Sequence, residues 1–167
     1  LEQGRTVTQP GDQVNVSFTD SGSFYVVTRD GQYTVYDSSS EPLRPREGKV
    51  FSHAANEDWF GWYENGAFHM EHRTDGDSFI LDAEPEAGVF SAGGNFFSVT
   101  REQDTDIYYR DVLVVENAVS WGEQNGFFVA FSEKNGPIIF RMDGEKYYES
   151  PYSEGMVHIC GELLAVS

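Results

Sequence analysis

Histidine and glutamate occur together in the segment His69-Met70-Glu71-His72, and these are residue types that bind zinc. In an extended strand, residues three apart point to opposite faces, so the two histidines cannot share one ion. His69 and Glu71 do share a face, but two ligands from a single strand do not complete a zinc site. The spacing therefore predicts an ordinary strand, and no metal site is expected.

Pairs of aspartates occur at two places, Asp75 with Asp77 and Asp104 with Asp106. Oxygen-rich loops can hold Ca²⁺, but neither pair has the further ligands or the ordered spacing of a calcium-binding loop. Aspartate is also common in turns, where its carboxylate accepts hydrogen bonds from the backbone that follows. We interpret both pairs as parts of solvated loops and expect no cofactor.

The sequence offers little for catalysis. It contains no G-x-S-x-G nucleophile motif, no H-E-x-x-H motif and no glycine-rich phosphate loop. The single cysteine, Cys160, ends the largely apolar run Val157–Cys160 and is expected to be a buried structural thiol. A hydrolase that uses two carboxylates stays open, because acidic residues occur throughout the chain. The favoured interpretation is a protein that is not an enzyme.

Composition limits the partners more firmly than it limits the chemistry. The 167 residues carry a formal net charge of −17, and only three of them are lysine. The charge disfavours nucleic acid and anionic membrane surfaces as partners, because both need a basic surface. No apolar run approaches the roughly 20 residues of a membrane-spanning helix. The acidity favours either solubility in salty surroundings or attraction for cations and basic proteins.

A repeated pattern supplies the elements that would position these residues. Each unit opens with a short apolar run, and a second run follows that begins with an aromatic or apolar pair. The second runs begin at Phe24, Trp59, Phe96, Phe127 and Leu163, so their starts lie 35, 37, 31 and 36 residues apart. A period of this length indicates supersecondary units that stack on one another or are arranged radially.

Turn residues divide each unit into four runs. Asp30-Gly31, Asn65-Gly66 and Asn135-Gly136 follow the second run and are typical of two-residue hairpins, while the third unit has the longer segment Gln103–Asp106. Second runs such as Phe127–Phe131 are apolar on both faces, as expected of a strand covered on both sides. Four antiparallel strands in about 35 residues are typical of a β-propeller blade. In the first unit the fourth run is the weakest, since prolines interrupt it.

Two segments also resemble a known family of repeats. Val89–Arg101, followed by Asp106–Asp111, resembles a blade of the TolB and WD40-like propellers, and Val119–Arg141 is similar. The resemblance spans most of the chain, although the Gly-His and Trp-Asp signatures of WD40 repeats are absent. It implies a propeller fold that binds partners and no particular activity.

The predicted fold is an all-β propeller of four-stranded antiparallel blades in a single domain, residues 1–167. The repeats span about 14–49, 50–88, 89–118 and 119–156, with a partial unit at 157–167. We expect five blades, the last completed by an N-terminal strand at residues 5–9, because such closure removes open edges. A fragment of a larger propeller, a ring shared with another chain and a different all-β fold stay open.

Two sets of residues are candidates for binding. Loops that join second and third strands form an acidic rim with the carboxylates Asp30, Glu64, Glu102, Asp104, Asp106 and Glu133. Acidic residues also fall on the opposite face, so a generally solvated surface competes with this interpretation. Among aromatic residues that could stack on a sugar, most are expected in the core, and Tyr147, Tyr148 and Tyr152 are expected to be the most exposed.

The function predicted from these features is a non-enzymatic protein-interaction module on a rigid acidic scaffold. Its partner would be a protein, a basic one in the charge-based version, and no nucleic acid or membrane insertion is expected. The alternatives are a structural subunit of an oligomer or larger assembly, and a small carbohydrate-binding or glycoside-acting domain. The residues do not identify the compartment, although an extracellular or periplasmic one is favoured.

Overall fold

The structure, a computed structural model, describes residues 15–18, 24–29, 32–37, 42–47, 49–51, 56, 58–84, 86–152, 155–160 and 163–166. These residues form eighteen β-strands and no helix. The chain divides into two compact units, Leu1–Pro85 and Glu86–Ser167, here called unit 1 and unit 2.

Unit 1 contains two four-stranded antiparallel sheets in which neighbouring strands follow one another along the chain. The first sheet consists of β1 (Asn15–Phe18), β2 (Phe24–Arg29), β3 (Gln32–Asp37) and β4 (Pro42–Glu47). The second consists of β5 (Lys49–Phe51), β6 (Trp59–Glu64), β7 (Ala67–His72) and β8 (Ser78–Leu81). Although β4 contains Pro42 and Pro45, it lies at the end of its sheet, where proline does not interrupt a ladder on both sides.

The core of the second sheet of unit 1 is built from neighbouring aromatic residues. Trp59 and Phe60 are adjacent in β6 and both are buried, so both faces of this strand are covered. Gly61 follows them because a Cβ there would lie 2.6 Å from Met70 Sδ and 2.7 Å from the Phe68 ring. The pair Asn65-Gly66 joins β6 to β7 with φ values of 52° and 83°, as its sequence predicts.

Unit 2 contains two sheets of the same type and a two-stranded sheet. Its first sheet consists of β9 (Gly88–Gly93), β10 (Phe96–Arg101), β11 (Asp104–Tyr109) and β12 (Val112–Val115). The next consists of β13 (Ala118–Gln124), β14 (Phe127–Ser132), β15 (Gly136–Arg141) and β16 (Lys146–Glu149). The two-stranded sheet pairs β17 (Val157–Cys160) with β18 (Leu163–Val166).

The sheet formed by β13–β16 is covered on both faces. On one face Phe128, Ala130 and Phe140 belong to a buried cluster with Phe96 and Ile107 of the preceding sheet. On the other face a second buried cluster is formed by Val129, Ile139 and Ile159. The two-sided apolar pattern of the sequence therefore results from a sheet packed between two neighbours, and the predicted fold class of four-stranded antiparallel propeller blades is confirmed.

Two local predictions are wrong. The expected loop at Gln103–Asp106 is shorter, because Glu102 adopts a φ of 53° and lets β11 begin at Asp104. Cys160 is exposed, not buried. Side chains alternate along β17, so the burial of Ile159 leaves the following cysteine on the solvent side.

Other predictions stay predictions. The N-terminal strand expected at residues 5–9 lies outside the described residues, so closure into five blades is untested, as is the extent of a single domain. Within the described ranges, no helix has the length and hydropathy needed to cross a membrane.

Candidate functional site

Three connections of unit 2 meet at one end of its sheets. These are Glu102-Gln103 between β10 and β11, Glu116-Asn117 between β12 and β13, and Glu133–Asn135 between β14 and β15. The backbone N–H of Asn117 donates to Asp106 Oδ1 at 3.1 Å, and the N–H of Glu133 donates to the Asn117 carbonyl at 3.4 Å. Asn117 therefore joins the first sheet of unit 2 to the second.

Further hydrogen bonds hold the same connections. Ser132 Oγ donates to the Glu116 carbonyl at 3.2 Å and accepts from the Lys134 N–H at 3.3 Å. Asn117 adopts a φ of 51°, which asparagine tolerates better than most residues do. These hydrogen bonds fix the backbone of Glu116-Asn117 and Glu133-Lys134, so the points from which Glu116 and Glu133 project are set before any partner binds.

Asp106 belongs to the framework and is not a free carboxylate. It lies within β11, and Arg101 Nη1 donates to its Oδ2 at 2.9 Å. Its side chain is only 21% exposed, and its other oxygen accepts from Asn117. Asp106 therefore lies in a strand and not in the loop where it was expected, and its pairing with Arg101 lessens the charge that it adds to the rim. Its part in binding stays a prediction.

The remaining carboxylates at this end are exposed. They are Glu102, Asp104, Glu116 and Glu133, and we call them the acidic rim of unit 2. Three were expected from the sequence, and Glu116 was missed. The antiparallel order of the strands could have identified Glu116. In a four-stranded unit, the connection from the fourth strand to the first strand of the next unit lies at the same end as the connection from the second strand to the third.

A small pocket opens beside the acidic rim. It has a volume of about 210 Å³ and is lined by Val114, Val115, Glu116, Ser132, Lys134, Asn135, Ile138, Lys146 and Glu149. Within it Lys146 Nζ lies 2.7 Å from Glu149 Oε2, and Asn135 Nδ2 donates to Glu149 Oε1 at 3.3 Å. These contacts satisfy Glu149, so this carboxylate adds less to the negative potential than the rim residues do.

The other predicted rim residues belong to unit 1. Glu64 ends β6, where its Oε2 accepts a hydrogen bond from Trp62 Nε1 at 3.2 Å. Asp30 lies outside the described residues. The structure therefore groups Glu102, Asp104 and Glu133 in unit 2, and Glu64 has a local structural contact in its own unit.

Acidic residues also occur at the opposite ends of the sheets, as the sequence suggests. In unit 1, Asp75 Oδ1 lies 2.8 Å from His72 Nδ1 and accepts from the Asp77 N–H at 2.9 Å. The backbone hydrogen bond from Asp77, followed by the one to His72, lowers the pKa of Asp75 below its usual value. In unit 2, Asp111 and Glu145 are exposed in the turns that join third and fourth strands.

The histidines of β7 are used separately. His69 stacks on Trp62 with ring centroids 5.3 Å apart, and His72 packs edge-on against Trp59 with centroids 4.9 Å apart. Over the part of the chain that the structure describes, no three His, Cys, Asp or Glu side chains are grouped to hold a metal ion.

Aromatic residues divide into a buried and an exposed set. Trp59 and Trp62 are buried as expected, but Trp121 is 37% exposed although core packing was expected. Trp121 lies in β13, which is the end strand of its sheet and is exposed along most of its length. Tyr147 and Tyr152 are exposed as expected, whereas Tyr148 is half-buried.

No family model matches the sequence, and no curated protein matches it either. Among solved structures, the chain is similar to BamB from Moraxella catarrhalis at 10% identity, covering 90% of this chain and 53% of that one with a TM-score of 0.41. It is similar to Kluyveromyces lactis Hsv2p at 13% identity, covering 92% and 56% with a TM-score of 0.43.

A third similar structure is a chain of the mitotic checkpoint complex, at 16% identity, covering 90% of this chain and 54% of that one with a TM-score of 0.45. The chain spans about half the length of these solved chains. Similarity at this level does not indicate a shared activity or partner.

Proposed function

We propose that this protein is a non-enzymatic protein-interaction module whose acidic rim of unit 2 binds a basic segment of another protein. The observation that supports it is the bridge made by Asn117, which ties Asp106 of one sheet to Glu133 of the next. The bridge places exposed carboxylates from successive sheets at one end of unit 2, on a backbone that is already hydrogen-bonded.

Preorganisation and charge together supply the mechanism. Side chains on fixed loops lose less freedom on binding than those on loops that must fold, so less of the interaction energy is spent on ordering. Exposed carboxylates and a net charge of −17 raise the encounter rate with a cationic segment, mainly at low salt. The fixed loops that carry the carboxylates would make the interaction specific, and the negative charge would make association fast.

A pair of matched variants tests the proposal with a short peptide rich in lysine and arginine. Glu102→Gln with Glu133→Gln removes two charges from the acidic rim of unit 2. Asp111→Asn with Glu145→Gln removes two charges from the opposite end of the same sheets. We expect the rim variant to weaken binding about 3- to 10-fold and the control variant to change it less than about 2-fold.

Salt provides the second readout. Affinity for the peptide, measured by calorimetry, should fall as ionic strength rises from about 0.05 to about 0.5 M, because screening shortens the range of charge interactions. Equal weakening by the two variants would show that only overall charge matters and would overturn the rim as the site. Affinity that does not change with salt would contradict a charge-based interaction altogether.

A further inference from the structure

The pocket beside the acidic rim differs in charge from the rest of the chain. Its lining contains two acidic and two basic residues, which are Glu116, Glu149, Lys134 and Lys146. The whole chain has 28 acidic residues against 11 of lysine and arginine. A balanced set of charges in such an acidic protein favours a ligand that itself carries both signs, and not the basic segment that the rim would attract.

The pocket lies between two successive sheets of unit 2. Val114 and Val115 belong to β12 of the first sheet, and Ile138 belongs to β15 of the next. Val115 and Ile138 are members of the buried cluster that joins these sheets, and Val114 packs against it. The side of the pocket nearest the core is therefore apolar.

One pair of charges in the pocket is already satisfied. Glu149 is opposite Ile138 in the β15–β16 ladder, so its side chain lies on the face that carries the apolar lining. Its two carboxylate oxygens are held by Lys146 Nζ at 2.7 Å and by Asn135 Nδ2 at 3.3 Å. The pair of Lys146 and Glu149 therefore forms a polar side of the pocket and leaves the other two charges for a ligand.

A single buried hydroxyl holds the backbones of the other two charged residues. Ser132 is 6% exposed, and its Oγ donates to the Glu116 carbonyl at 3.2 Å and accepts from the Lys134 N–H at 3.3 Å. Both Glu116 and Lys134 are exposed. Among the described residues, no ion pair joins these two side chains or engages either of them. One carboxylate and one ammonium are therefore available to a ligand.

The size of the pocket restricts that ligand to a small molecule. Its volume of about 210 Å³ is below the roughly 300–1,000 Å³ typical of pockets for drug-sized ligands. An aliphatic α-amino acid fits this size and carries an ammonium and a carboxylate on one carbon, beside an apolar side chain. In a peptide those two charges lie at opposite ends of the chain, so a free amino acid suits the pocket better.

We propose that this pocket binds a small free amino acid with an aliphatic side chain, such as leucine. Glu116 pairs with the ammonium, and Lys134 pairs with the carboxylate. The aliphatic side chain leaves water to contact Val114, Val115 and Ile138. This inference goes beyond the proposed interaction module and does not depend on it.

The test uses L-leucine and three probes that each lack one of its features. Isoamylamine lacks the carboxylate, isocaproate lacks the ammonium, and glycine lacks the aliphatic side chain. NMR titration of the folded protein follows the methyl resonances of Val114, Val115 and Ile138. We expect leucine to bind with a Kd on the order of 1 mM and each probe to bind at least about 3-fold more weakly.

Variants assign each charge of the ligand to one residue. Glu116→Gln should bind leucine and isocaproate equally, and Lys134→Gln should bind leucine and isoamylamine equally. Asp111→Asn, at the opposite end of the same sheets, should bind leucine as the unchanged protein does. All three side chains are exposed, so thermal unfolding should show that each variant is folded.

The outcomes are separate from those for the rim, because neither Glu102 nor Glu133 lines the pocket. If the rim variant keeps its affinity for the basic peptide while leucine and its probes follow the expected order, the pocket stands and the rim is wrong. If the peptide responds as expected while about 20 mM leucine shifts none of these methyl resonances, the rim stands and the pocket is overturned. Equal binding of leucine and isocaproate by the unchanged protein would also overturn the amino-acid site.

Discussion

The rings of Phe96 and Phe128 stack in parallel, with centroids 4.0 Å apart and an angle of 4° between their planes. Phe96 begins β10 and Phe128 is the second residue of β14, so the contact joins the second strands of successive sheets in unit 2. Both residues come from the aromatic pairs that define the repeat. In unit 2, the repeated motif thus supplies a contact by which one sheet packs on the next.

Removing one of these rings should weaken unit 2. Phe128→Ala deletes a fully buried side chain and leaves a cavity beside Phe96, so the free energy of unfolding should fall by about 3–5 kcal/mol. Denaturant unfolding measures the change. Tyr152→Ala, at an exposed aromatic position, should change stability by less than about 0.5 kcal/mol. Similar losses in both variants would mean that the stacked pair is not part of the stabilising core.

Asp106 should matter for stability more than for binding. Asp106→Asn removes the charged partner of Arg101, so we expect a loss of about 1–3 kcal/mol in the free energy of unfolding. Asp104→Asn, two residues earlier and exposed, should leave stability nearly unchanged. Thermal unfolding of the two variants compares these effects. A larger loss with Asp104→Asn would contradict the assignment of Asp106 to the framework.

Ser98 offers a stabilising substitution. Its side chain is fully buried, and Ser98 Oγ has no hydrogen-bond partner within the described residues. Ser98→Ala removes a polar group that folding takes out of water, so stability should rise by about 1 kcal/mol. Thr105→Val is the contrast, because Thr105 Oγ1 lies 3.0 Å from Thr100 Oγ1 and its loss should destabilise. A destabilised Ser98→Ala protein would show that the hydroxyl has a partner in solution.

Asp75 should make the free energy of unfolding depend on pH in the acidic range. Its pKa is lowered in the folded chain, by the backbone hydrogen bond from Asp77 first and by His72 second. A lowered pKa stabilises the folded state above the ordinary value of 3.8, and this contribution is lost as pH falls through the folded value. Asp75→Asn should flatten the profile below pH 3.8, measured by denaturant unfolding across pH. Asp111→Asn serves as the control, and an identical change in both profiles would contradict the assignment.

Local pattern was sufficient to predict most of the strands. Trp59–Glu64, Phe96–Arg101 and Phe127–Ser132 are strands as the aromatic pairs indicated, and Asn65-Gly66 forms a tight turn. These features depend on neighbouring residues, so the sequence carries them directly. Errors arose where the residue types fit both a loop and a strand. Asp104 and Asp106, on either side of Thr105, are typical loop residues, but the turn is made by Glu102, which has a positive φ.

The candidate site was only partly predictable, because exposure depends on what packs across a face. The repeat period and the order of strands predict that Glu102 and Glu133 lie in corresponding turns. The pairing of Asp106 with Arg101 is not predicted in this way, because it depends on a side chain of the neighbouring strand. Trp121 was expected in the core because it lies in a strand, although β13 contains more polar residues than the buried strand β14 does. Sequence alone therefore identified the carboxylates without separating the structural from the free ones.

The residues by themselves determined the acidic surface, the repeat and the four-stranded antiparallel sheets, because charge, turn preference and two-residue alternation are local properties of the chain. Tertiary structure alone decided that Asn117 bridges two sheets, that Ile159 is buried while Cys160 is exposed, and that Trp121 is 37% exposed. Each of these depends on contacts between segments that lie far apart in sequence, and packing between faces sets them.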